Sequence, residues 1–175
     1  MFVSLGAKKP AEDLAGLLLD CHQRIRRFTA LAGRLAAPGD AASAELAEAA
    51  GRVLRYFEGA LPLHAADEDE TIRPRLVVAR PDLAEVLARM TEQHGPIDQA
   101  IALGAPAWRA IVAEPSCAPD HVPVLAEAAA ELDRLFAVHL PPEETLVFPA
   151  VAALPPELQE EIRAEFRARR TPPGA

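Results

Sequence analysis

Four histidines, His22, His64, His94 and His139, fall one to each of four successive segments whose apolar residues recur at steps of three and four. The spacing repeats: 42 residues separate His22 from His64 and 45 separate His94 from His139, with a proline ten residues after the second histidine each time, Pro74 and Pro149. His64 and His139 are each followed four residues later by a glutamate, Glu68 and Glu143. The chain therefore reads as two helical hairpins, each delivering one His and one His-x-x-x-Glu pair.

Alanine, leucine, glutamate and arginine fill nearly every window and β-branched runs are absent, so an all-α fold is predicted. The first helix is expected from about Ala11 to Ala36, with Leu14, Leu18, His22, Ile25 and Ala32 on one stripe and a stop at Pro38-Gly39. The second begins near Ala42, bends at Pro62 and ends near Pro74. Asp82 is the expected N-cap of the third, which weakens from Gly104 to Pro106. The stretch from Ala105 to Pro119, with Trp108, is expected to be a loop or short helix, and Asp120 to cap a fourth helix that carries His139. One domain over residues 11–153 is expected, after an extension of residues 1–10. Residues 154–175 would add a short helix, Pro156 to Arg170, across one end and a frayed tail.

A net charge of -8 lacks the basic face that nucleic-acid phosphates or an anionic membrane require, so neither is an expected partner. Arginines cluster near Arg24 to Arg27 and from Arg163 to Arg170, but acidic neighbours dilute both groups, and they read as solvated helix faces. Cys21 and Cys117 form no CxxC, which suits a reducing cytoplasm, and no apolar run approaches a membrane span. The arginine-rich end of the last helix is a candidate contact for a protein partner, which the sequence does not name.

Residues four apart lie on one side of a helix, so each His-x-x-x-Glu pair can present both side chains to one interior point. Imidazole and carboxylate suit iron, zinc or manganese, and a pair of cations bridged by Glu68 and Glu143 would satisfy two carboxylates on apolar stripes. The competing reading is a metal-free helical interaction domain in which Arg26 neutralises the buried glutamates. His121 lies 18 residues before His139, the same helical direction but about 27 Å along the axis, and cannot share the site. No Glu-x-x-His pair and no His-Glu-x-x-His motif is present.

The order His, His-x-x-x-Glu, His, His-x-x-x-Glu resembles the hemerythrin-like (HHE cation-binding) family, in particular its bacterial non-haem di-iron members, over residues 11 to 153. The most specific match is His139-Leu-Pro-Pro-Glu143-Glu144-Thr-Leu-Val-Phe148-Pro149; His64 to Glu68 through Arg73-Pro74 and Glu92-Gln-His94-Gly-Pro are its counterparts. The resemblance implies an antiparallel up-down four-helix bundle. It also implies two non-haem iron ions, oxo- or hydroxo-bridged, with His22 and His64 on one, His94 and His139 on the other, and Glu68 and Glu143 bridging.

Two departures stand out. Asp98 occupies the position where oxygen-carrying hemerythrins place a second histidine of the third helix, making it a candidate ligand, an acceptor that orients an imidazole, or a solvent-facing residue. Pro141 and Pro142 fall inside the second His-x-x-x-Glu turn, where a helix is expected to break, which makes Glu144 a rival to Glu143. The resemblance points to a protein that binds or reacts with dioxygen, nitric oxide or peroxide in sensing, detoxification or iron handling. A reversible oxygen store is the alternative within the family. The reading leans to a binding protein rather than an enzyme.

Overall fold

A computed structural model describes residues 13–37, 39 and 41–171; the expected extension of residues 1–10 and the end of the tail lie outside them. The described residues form an all-helical bundle without strands. We label its helices α1 (Leu14–Leu35), α2 (residues 43–79), α3 (Ala84–Ala113), α4 (residues 118–152) and α5 (Pro156–Arg170). Helix α1 packs on α2 and α4, and α3 packs on the same two.

The apolar stripes close into two separate clusters. One holds Ile25, Val53, Phe57, Ile101, Trp108, Leu125 and Leu132; the other holds Leu14, Leu18, Ile72, Leu87, Val151 and Phe166. Each of the four long helices contributes to both, and the four histidines fall between the two. Helix α5 joins only the second cluster, through Ile162 and Phe166.

Several helix boundaries differ from expectation for identifiable reasons. Asp13 caps α1, accepting from the Gly16 amide at 2.6 Å. Asp82 does not cap α3; it lies in a single 3₁₀ turn, Pro81–Leu83, and pairs with Arg80. Asp120 likewise sits inside the first turn of α4, which begins at Ala118 after the 3₁₀ turn Pro115–Cys117. The predicted loop from Ala105 is helix as far as Ala113. Pro106 lies on the exposed face one turn above exposed Ala102, so the hydrogen bond it removes is replaced by solvent. Trp108, buried completely, stacks on Phe57 with ring centroids 5.7 Å apart and anchors that end of the bundle.

Helix α2 does not end at Pro74, and α4 does not break at Pro141 and Pro142. Each runs on through wide π turns: Tyr56–Ala60 and Asp67–Ile72 in α2, and Glu143–Val147 in α4. Each π turn closes with the residue just before a proline donating to the carbonyl five residues back: Leu61 to Tyr56, Arg73 to Glu68 and Phe148 to Glu143. The widened turn makes room for the rings of Pro62, Pro74 and Pro149, which would crowd a regular α turn. At Pro142 the helix tightens instead, the Glu143 amide donating to the Leu140 carbonyl, so Glu143 keeps its place one turn beyond His139.

Gly104 is fixed by the packing of Trp108. A Cβ there would lie 2.8 Å from two atoms of the indole ring and 3.1 Å from the Ala128 Cβ. Gly104→Ala, which raises helix propensity, is therefore expected to destabilise the fold by about 1–3 kcal/mol in urea denaturation; a stabilised variant would contradict this packing.

Candidate metal centre

Glu68 is second in the π turn Asp67–Ile72 and Glu143 first in Glu143–Val147, and both are essentially inaccessible, at 1% and 0% exposure. Glu68 places Oε1 at 3.1 Å from His64 Nε2 and Oε2 at 3.3 Å from His94 Nε2. Glu143 places Oε2 at 2.9 Å from His22 Nε2 and Oε1 at 3.0 Å from His139 Nε2. Each carboxylate thus spans two histidines from different helices. Two groups result with ligand atoms close enough to share an ion: His22, His64, Glu68 and Glu143, and Glu68, His94 and His139.

The pairs are close, but the orientations are not those of hydrogen bonds. All four carboxylate oxygens and the Nε2 atoms of His22, His64 and His94 are buried without a hydrogen-bond partner. Buried polar atoms are rarely left so, and here the N and O atoms sit together without pairing, the arrangement expected when lone pairs converge on a shared cation. The donor set of nitrogen and oxygen fits a transition-metal ion.

The outer ring nitrogens are held by a second set of residues. His22 Nδ1 donates to Glu144 Oε1 at 2.9 Å, and Arg26 donates to the same oxygen at 2.7 Å. His94 Nδ1 donates to Asp69 Oδ2 at 2.9 Å, and Thr91 donates to the other oxygen of Asp69. His139 Nδ1 donates to Gln93 Oε1 at 2.9 Å. A proton fixed on Nδ1 leaves Nε2 with its lone pair facing inward, the tautomer a metal ligand needs. His64 has no such partner on Nδ1.

The structure therefore brings together six of the residues singled out in the sequence: His22, His64, Glu68, His94, His139 and Glu143. It keeps Glu144 outside them, orienting His22. Asp98 is exposed and outside both ligand groups, yet it lines a narrow cavity that also touches His64, His94 and His139. His121 is half-buried and belongs to neither group. Arg26 pairs with Glu144 and reaches neither buried glutamate. Asp69, Thr91 and Gln93 were not singled out. The signal for Asp69 was its place beside Glu68 in an acidic run too dense to be wholly solvated.

Residues 13–117 match the model of the hemerythrin HHE cation-binding domain. The chain belongs to this family. The match spans α1 to α3 and stops before His139 and Glu143, which complete the cluster in space. Among curated proteins and solved structures, nothing matches the chain. Among the described residues no helix is long and apolar enough to cross a membrane.

Without metal, His22, His64 and His94 differ in basicity. Burial opposes protonation of His94, but Glu68 and Asp69 beside it prevail and push its pKa up to about 9. Burial pushes His64 down to about 4. His22 is also raised, burial being outweighed by Glu143, Glu68 and Glu144, and Glu143 is lowered against its burial by His139 and His22. The raised His94 stabilises the metal-free fold below its unfolded pKa of 6.5, and that contribution is lost as pH rises through about 9. His64 acts in the opposite sense, weakening the fold as pH falls from 6.5 towards 4. Ring NMR of metal-free protein should show His94 protonated and His64 neutral at pH 7; the reverse order would contradict the geometry.

Proposed function

We propose that this chain is a non-haem di-iron protein of the cytoplasm that binds or reacts with dioxygen, nitric oxide or peroxide. The observation that carries this reading is the pair of buried, unpartnered carboxylates, each divided between two histidines. The up-down antiparallel arrangement of α1 to α4 is part of the proposal. It is supported by the alternation of core membership: α1 and α3 begin in the Leu14 cluster and end in the Trp108 cluster, whereas α2 and α4 do the reverse.

His22 and His64 would hold one iron and His94 and His139 the other, with Glu68 and Glu143 bridging. When bound, two irons supply electrons and open coordination positions for a small ligand. The chain's own residues orient and confine. Glu144, Asp69 and Gln93 fix three of the imidazoles. The cavity beside His64, His94 and His139 has a volume of about 20 Å³ and walls from Ile25, Leu61, Ile97 and Phe136. That is room for about one water-sized molecule, which favours a diatomic or peroxide ligand over any larger substrate. Asp98 at its mouth is a solvated carboxylate facing that entrance rather than a ligand.

Metal analysis of protein produced with iron, with spectra taken through reduction and re-exposure to air, tests this reading. Two irons per chain are expected, and His64→Ala with His139→Ala should abolish them. Metal well below one per chain, unchanged by these substitutions, would overturn it. A spectrum restored and removed reversibly by air and vacuum would identify an oxygen store, and irreversible oxidation a redox role. Glu143→Gln should lose iron outright, whereas Glu144→Gln should keep both irons and weaken affinity by about 10-fold through His22. Equal loss from both would show that Glu144 is itself a ligand.

A further inference from the structure

We propose that α5 is a clasp that positions Glu68. The π turn Asp67–Ile72 carries Glu68, and helix α5 braces it. Arg169 and Arg170 both bind the carboxylate of Asp67, the residue before Glu68, which is only 1% exposed. Arg169 also donates to Glu70 and to Thr71 Oγ1, each at 3.1 Å. Glu165 of α5 accepts from Arg75 at 2.6 Å, and Arg75 donates in turn to the Thr71 carbonyl at 2.9 Å. Asp69, facing the other way, is held by Thr91 and His94.

Every polar side chain from Asp67 to Thr71 is thus fixed by a neighbour except Glu68, which is left to face the histidines. Ile162 and Phe166 seat α5 on the same end of the bundle through the cluster containing Ile72 and Leu76. The matching π turn of α4 is held differently, Glu144 by Arg26 and Thr145 by the Pro141 carbonyl. Helix α5 lies beyond the family match and acts on one half of the duplicated site. The arginine-rich segment from Arg163 to Arg170, read from sequence as a solvated face, thereby has a structural role at its C-terminal end.

This assignment rests on the metal reading, and the test separates the two. The full-length chain, its Arg169→Gln/Arg170→Gln variant and Asp67→Asn are loaded anaerobically with Fe(II), and release to a chromogenic chelator is timed. Leu125→Ala, in the far core cluster, controls for general loss of stability. Release is expected to quicken by about 10-fold or more in both clasp variants and to stay near wild type in Leu125→Ala, even where its thermal midpoint falls further. Unchanged release in the clasp variants, or equal acceleration in Leu125→Ala, overturns the clasp. If the unaltered chain takes up no iron, the metal reading fails and amide exchange in metal-free protein decides: faster exchange confined to residues 67–72 in the clasp variants supports the clasp, and unchanged exchange overturns it.

Discussion

Two carboxylates, Glu68 and Glu143, lie at the centre of the bundle with none of their oxygens hydrogen-bonded. An uncompensated buried carboxylate is costly by several kcal/mol after relaxation, and two at one depth repel each other. The rest of the structure is arranged around that constraint. The apolar core is divided above and below it into two clusters, four helices each send one imidazole to it, and a second set of side chains fixes the outer nitrogens of three of those rings. Glu68 and Asp69 favour protonation of His94, which would compensate in part, but the absence of directed hydrogen bonds is better answered by cations.

The duplication in the sequence has a local physical origin. Glu68 and Glu143 each accept, through their main-chain carbonyls, from the residue five positions on, and a proline follows immediately. The proline ten residues after His64 and His139 therefore marks a π turn that carries the buried glutamate. In the sequence Pro74 reads as a helix end, because its ring would crowd a regular α turn. A wide turn accommodates it, as another does Pro149, and so the histidine, glutamate and proline stay on one continuous helix.

The six residues of the central cluster were legible because a metal site needs particular residue types, and their helical spacing survives the π turns. Boundaries were less legible. Gly104 and Pro106 weaken a helix locally, but burial of Trp108 against Phe57 outweighs that and carries α3 to Ala113. Asp82 and Asp120 resemble N-caps, yet 3₁₀ turns take over the start of the next helix. Partners such as Asp69 with His94, Gln93 with His139, and Arg169 and Arg170 with Asp67 depend on tertiary placement that no spacing rule contains.

The central claim is that Glu68 and Glu143 bridge two cations. Crystals of protein produced with iron, with anomalous scattering recorded on both sides of the iron edge, test it most directly. Two peaks are expected, one beside His22 and His64 and one beside His94 and His139, each touching one oxygen from both glutamates. A cluster without anomalous density, with Glu68 and Glu143 hydrogen-bonded directly to the histidines in iron-replete protein, would contradict it.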